Sequence, residues 1–306
     1  MEIRYNNLSS YFKKQNCQYK IKKICIDGGF TCPNRDGTVG YGGCVFCGNL
    51  GAGEHIVNRN CSIEEQVNNV LSSSQKNTKY VAYLQNFTNT YAPVDELREK
   101  YYMAILPDEV VALAIGTRPD CIDEDKAKLL FEISKKKDVW VEFGLQTAND
   151  ETAEIINRGY KRECFTEAAK ILNKYNIKIV VHLILGLPNE NKQSIQETVR
   201  FINQHKIWGI KIHSLYVMKG TVLEQLYLTG KFTPISQKEN VDWTVEILTH
   251  ISPLIVIHRL TGDCPKDLLV APSWSTDKNT ILNEINKMML ENNYYQGCLY
   301  KDDKSV

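Results

Sequence analysis

Apolar and polar positions along the chain alternate between two rhythms. Seven short apolar runs, at 23–27, 80–85, 110–115, 139–143, 177–185, 210–216 and 254–258, read as strands. After the first gap most recur about 30 to 40 residues apart, the length of one strand plus one helix. Residues 179–185 are almost continuously apolar, which suits a parallel strand covered on both faces. Between the runs the period changes to that of amphipathic helices, at 62–71, 94–105, 162–175, 194–205, 238–251 and 280–290. Asp123 is placed to cap one more helix, with Ala127, Leu130, Phe131 and Ile133 on one face and Lys135, Lys136 and Lys137 at its end. Strand and helix in alternation predict an α/β protein with a parallel sheet, open or closed. No repeat or low-complexity linker divides the chain. One domain at 21–260 is expected, with an N-terminal basic and aromatic arm (1–20) and a C-terminal extension (261–306) packing on it.

Composition narrows the class. The chain has 306 residues, 43% hydrophobic and 24% charged, ordinary for a globular protein. No apolar run is long enough to span a membrane, and the first residues lack the apolar core of a secretory signal. A cytoplasmic location is therefore expected, with no membrane partner. There, ten cysteines serve as metal ligands, reactive groups or small buried hydrophobes and seldom as bridges. The net charge of +1 excludes a strongly basic nucleic-acid coat but leaves room for a local basic patch.

The candidate chemistry is concentrated after the first strand. Cys32, Cys44 and Cys47 sit on a loop that also holds Gly37, Gly40, Gly42 and Gly43. A Cys-x-x-Cys pair converges two thiolates, Cys32 supplies a third, and the glycines let the loop fold tightly. Three readings stand: a [4Fe–4S] cluster with one open iron, a zinc ion with His55 as fourth ligand, or plain structural thiols. The other cysteines have no ligand spacing. Polar residues then recur at the end of strand after strand. Examples are Thr88-Asn89-Thr90, Arg118-Pro119-Asp120, Glu142 to Thr147, His182 with Gly186-Leu187-Pro188, and His213-Ser214. In parallel α/β folds chemistry gathers at those carboxyl ends. A structural zinc loop would not require polar groups there; a cofactor lying across the sheet would.

Together these residues resemble the radical S-adenosylmethionine superfamily, and within it a family related to the radical domain of the Elongator catalytic subunit. The resemblance implies a partial (β/α)6 barrel. It implies that Cys32, Cys44 and Cys47 ligate three irons of a [4Fe–4S] cluster and that S-adenosylmethionine chelates the fourth. It implies reductive cleavage to a 5′-deoxyadenosyl radical that abstracts a substrate hydrogen. Eleven residues separate Cys32 from Cys44, against three in the commonest superfamily spacing; the Elongator-like branch shares a lengthened gap. By the same resemblance Thr88, Asn89 and Thr90 hold the cofactor's amino group, Gln146 and His182 its ribose, and Arg158 its carboxylate, while Gly186 passes the adenine. Each also has an ordinary structural reading: a polar turn, a satisfied backbone group, a buried histidine, or an internal ion pair for Arg118 and Asp120.

Substrate choice must come from elements over the barrel mouth. Lys13, Lys14, Lys20, Lys22 and Lys23, interleaved with Tyr11, Phe12 and Tyr19, suit phosphate neutralisation and base stacking, or a solvated lysine face. Arg259, Asp263 and Trp274, after the seventh strand, form a second candidate surface. The Elongator relation implies tRNA as substrate, at the C5 side chain of wobble uridine. It also implies an electron donor such as flavodoxin or ferredoxin, and a separate methyltransferase in the same pathway. Two other readings are a radical enzyme acting on a small metabolite or peptide, and a non-enzymatic zinc-binding module.

Overall fold

The protein is described by a computed structural model that covers residues 3–14, 19–51, 53, 56, 60–262 and 264–301. Seven strands form one curled parallel sheet, a partial barrel. They are β1 (Lys20–Ile26), β2 (Thr78–Leu84), β3 (Val110–Thr117), β4 (Asp138–Gln146), β5 (Lys178–Leu185), β6 (Gly209–Ser214) and β8 (Val256–Arg259), in that spatial order. A small two-stranded antiparallel sheet, β7 (Val217–Met218) with β9 (Leu269–Ala271), stands beyond the carboxyl end of β6.

The crossover helices are α2 (Ile63–Leu71), α3 (Val94–Ile105), α4 (Glu124–Ser134), α6 (Arg162–Lys174), α7 (Lys192–Asn203) and α9 (Gln237–His250). Their starts are set locally. Ser62 and Glu65 cap α2 reciprocally, Ser236 and Glu239 do the same for α9, and Asp123 accepts from the Lys126 amide at α4. The helix faces pack on the outer side of the sheet, where Ile24, Leu84, Leu113, Val141, Phe143, Val181 and Ile212 form the main core with Leu97, Leu130 and Phe165. On α4 the buried residues are Ala127, Leu129, Leu130 and Ile133. Phe131 turns to solvent, 39% exposed, and meets Tyr175. The last helix, α10 (Lys278–Glu291), packs against α9.

Pattern reading did not anticipate three short helices: α1 (Leu8–Lys14), α5 (Asp150–Ile155) and α8 (Val222–Leu228). Each is seven residues or fewer, too short for a helical period to emerge. The expected sixth strand also breaks after Ser214, and the seventh begins two residues late, leaving Leu254 84% exposed.

The inner face of the sheet is layered. Near the amino ends of the strands it is apolar, with Val81, Ala112, Ala114, Trp140 and Val180 packed together. Helix α1 closes this end. Phe12 packs into that cluster, and Tyr11 stacks edge-on against Trp208 at 5.2 Å and accepts from Lys178, the first residue of β5. Toward the carboxyl ends the same face turns polar, at Tyr83, Glu142, His182, Lys211 and His213. That end carries the site. Among the described residues no helix is long and apolar enough to cross a membrane.

Candidate active site

The cysteine loop is held from both sides. Within it, Arg35 Nη2 donates to the carbonyls of Cys47 at 3.1 Å and Gly48 at 2.5 Å. Gly43 has φ +80, and a Cβ there would lie 2.9 Å from Arg35 Nε, so the loop needs glycine at this point. Outside it, Val45 donates its N–H to Ile156 at the end of α5 and accepts from Leu223 of α8. Val45, Ile156, Leu187, Val217, Leu223 and Phe232 make a second, smaller apolar cluster, which presses the loop against α8 and the β7–β9 pair.

The loop forms one end of a cavity that runs over the carboxyl ends of the strands, with about 1280 Å³ of empty space partly open to solvent. Cys32, Cys44, Cys47, Thr88, Gln146, Arg158 and His182 all line it. Burial pushes the Cys44 thiol up to about 12, the neighbouring Cys47 and Cys32 add to the shift, and Arg118 and Arg158 oppose it. Thiols crowded in this way are the donor set that a positive metal centre deprotonates. Among the described residues no three His, Cys, Asp or Glu side chains converge as a site for one ion. His55 lies outside the described residues.

Other expected site residues divide. Of the strand-two trio, Thr88 faces the cavity. Asn89 instead donates to the carbonyls of Asn86 and Gly116, and Thr90 bonds Thr117. These two tie the end of β2 to β3. Gln146 has φ +59, which turns its amide into the cavity. Arg158 is buried, and its guanidinium donates to the carbonyls of Leu145, Thr147 and Tyr160 and to Asp150. Both prongs of its fork are therefore used within the chain. Tyr160 lies between Arg158 and Arg118, at 4.5 and 4.8 Å from ring centre to guanidinium, and Arg118 pairs with Asp120 at 2.6 Å. Gly186 lies behind the wall, where a Cβ would meet Ile235 at 2.9 Å.

The surfaces expected to choose a substrate are not gathered at the mouth. Lys13 and Lys14 end α1, at the closed end of the barrel. Lys20 and Lys22 lie on β1, and Lys23 turns inward over the Tyr83 ring at 4.9 Å. Arg259 donates to the Thr261 carbonyl and Trp274 to that of Ile235; neither lines the cavity. Asp263 lies outside the described residues.

At the floor of the cavity, which Glu142 and His182 both line, is a buried polar group whose pairing the strand-end pattern did not show: Glu142 and His182 were singled out separately, and Lys211 not at all. Glu142 on β4 accepts from Lys211 of β6, from His182 Nε2 of β5 at 2.8 Å and from Trp140 Nε1 at 2.9 Å. Lys211 also reaches the Tyr83 hydroxyl at 3.2 Å. Burial alone would raise the Glu142 carboxyl, but Lys211, Lys23 and the bond from His182 outweigh it and hold it well below the usual range. The available signal was a charge at an inward position of an otherwise apolar strand, in Val139-Trp-Val-Glu142-Phe and Ile210-Lys211-Ile.

Comparison with known proteins agrees with this geometry. The family model described as the Radical SAM superfamily matches residues 32–202, and that of the Radical_SAM C-terminal domain matches 207–291. The chain belongs to the radical SAM superfamily. It is 40% identical over 303 residues to the uncharacterised protein YtqA of Bacillus subtilis, covering 98% of this chain and 94% of that one. It is 26% identical over 158 residues to the tRNA uridine(34) acetyltransferase of Dehalococcoides mccartyi, covering 51% of this chain and 34% of that one. The fold is similar to that of Elp3 from Methanocaldococcus infernus, with TM-score 0.67 at 16% identity, over 91% of this chain and 64% of that chain. This protein is thus a radical SAM enzyme, related to Elongator, whose cofactors are a [4Fe–4S] cluster and S-adenosylmethionine.

Proposed function

We propose that the protein modifies tRNA at the C5 side chain of a wobble uridine. In this reading Cys32, Cys44 and Cys47 hold the cluster, and Thr88, Gln146, Arg158 and His182 help to seat S-adenosylmethionine. The observation that carries the cofactor part is the cavity wall. Three thiols stand at one end, and Thr88 Oγ1, Gln146 Oε1 and His213 Nε2 are buried along it without a protein partner. Buried polar atoms are costly unless something polar meets them, and a zwitterionic nucleoside cofactor supplies such groups. When bound, the cluster and its cofactor supply one-electron chemistry that removes a hydrogen atom from unactivated carbon. The chain's own residues orient, shield and neutralise. Asn89 and Thr90 fix the turn that presents Thr88, Gly186 leaves room for the turn after β5, and Arg158 places positive charge beside the thiolates.

The tRNA part rests on the relation to the tRNA uridine(34) acetyltransferase and on the Elongator-like fold, without support from the lysine arm. A donor such as flavodoxin or ferredoxin supplies the electron, and a separate methyltransferase completes the product. The test compares modified nucleosides in tRNA from strains with and without the gene, by mass spectrometry. Loss of one wobble-uridine nucleoside is expected. An unchanged profile, with cofactor cleavage intact in the purified protein, would transfer the activity to a small metabolite or peptide.

A further inference from the structure

The group at the cavity floor has a consequence for what the cavity accepts. Trp140 Nε1 and Lys211 Nζ can only donate, and both meet the Glu142 carboxylate. A carboxylate ringed by donors stays ionised and accepts, so the His182 nitrogen facing it, Nε2 at 2.8 Å, carries a hydrogen. His182 lines the cavity, its ring 5.2 Å from that of His213. With Nε2 turned inward, Nδ1 is the nitrogen left for a ligand. A second hydrogen on the ring is disfavoured by every neighbour except Glu142. Lys211 on β6 and Lys23 on β1 oppose it, although burial takes Lys211 itself down to about 7 against the pull of Glu142; His213 is kept neutral by burial, and burial with Lys211 takes His182 down to about 4.

We propose that Glu142, neutralised by Lys211, is a positioning residue that locks His182 in the Nε2–H form, so that Nδ1 offers the cavity an uncharged acceptor for a hydroxyl group of the bound nucleoside. This deepens the cofactor reading above and rests on it for the identity of the ligand, though not for the state of the ring. An acceptor of this kind adds no negative charge to the cavity that the cysteine loop lines. It accepts from a ligand hydroxyl and offers nothing to a ligand carboxylate, because a bare Nδ1 has no proton to give.

The test uses full-length protein with its cluster reconstituted, labelled with 15N at histidine. Long-range proton–nitrogen correlation should show His182 with a protonated Nε2 and a bare Nδ1 from pH 6 to 8; His182→Gln assigns the signal. The paired change Glu142→Leu with Lys211→Met removes acceptor and cation together, so no buried charge is stranded. It should release the ring to a mixture of forms and weaken S-adenosylmethionine binding by about tenfold or more, with iron content unchanged. A protonated Nδ1 in the unaltered protein overturns the proposal, and so does a paired variant that keeps both ring form and affinity. The ring form in the unaltered protein decides the matter even where the variant does not fold. An unaltered protein that carries its cluster and binds no S-adenosylmethionine fails the cofactor reading alone, because the ring form is read without ligand.

Discussion

Asn34 and Asn157 together clasp the cysteine loop. Asn34 Nδ2 donates to the Asn157 carbonyl at 2.6 Å, and Asn157 Nδ2 donates to the Gly43 carbonyl at 2.8 Å. One asparagine lies two residues after Cys32, and the other lies two residues past the last residue of α5, at φ +52. The loop's shape therefore depends on a helix more than a hundred residues away. Replacing Asn157 by Gly keeps the left-handed backbone and removes only the side chain. It should cost about 1 kcal/mol, near one hydrogen bond, and lower the iron retained per chain after a chelator wash. Asn157→Ala adds backbone strain and should retain less iron still. Equal retention by the two variants and the parent would show that the clasp does not hold the loop.

The cysteines divide by position. Cys32, Cys44 and Cys47 line the cavity, whereas Cys121, Cys164 and Cys298 do not. After anaerobic reconstitution the protein should hold about four irons per chain and release 5′-deoxyadenosine under a strong reductant. Alanine at any of the first three should abolish that release, and Cys298→Ala should leave it within about twofold. Zinc in place of iron, with no cleavage, would count against the whole reading.

How much of this was legible in the sequence depended on whether a residue's role is local. The cysteine spacing and the apolar runs are local patterns, and both led to the half-barrel. Strand ends were recognisable as places for chemistry. Which side chain turns into the cavity was not, because Thr88 and its neighbours Asn89 and Thr90 differ only in direction. Glu142 stood out only as one more polar strand end, and Lys211 not at all. They lie 69 residues apart in sequence and become a pair only once β4, β5 and β6 align. The lysine arm was the opposite case. Its composition is striking only until Tyr11 and Phe12 are seen packing under the sheet.

That placement separates two effects in α1. Lys13 and Lys14 are exposed at the closed end, away from the cavity. The double change to Ala should leave cofactor cleavage and tRNA binding within about twofold, as expected of surface charges. Phe12→Ala should instead lower stability by about 1–3 kcal/mol, less than full burial of a phenylalanine would cost, because the ring is only half-buried. Denaturant unfolding and filter binding measure the two. A marked loss of tRNA binding in the lysine variant would restore the arm to the substrate surface.

The buried histidines make stability depend on pH. His182, His213 and His258 all sit below their ordinary value of 6.5, burial being the first cause in each. His258 packs edge-on against Trp208 at 4.8 Å, with both ring nitrogens buried and unpartnered, and it does not line the cavity. In the unfolded chain each ring binds a proton as pH falls through 6.5, while the folded chain resists until far lower. The unfolded state then holds more protons, so stability is fully present above that point and is lost as pH falls below it. Each ring contributes at most about 1.4 kcal/mol per pH unit. The melting temperature should therefore fall steadily from pH 7 to 5. His258→Phe, which removes one of the three without touching the cavity, should make that decline shallower while leaving cofactor cleavage at pH 7.5 unchanged. A melting temperature constant across this range would mean that the three rings reach solvent protons without unfolding.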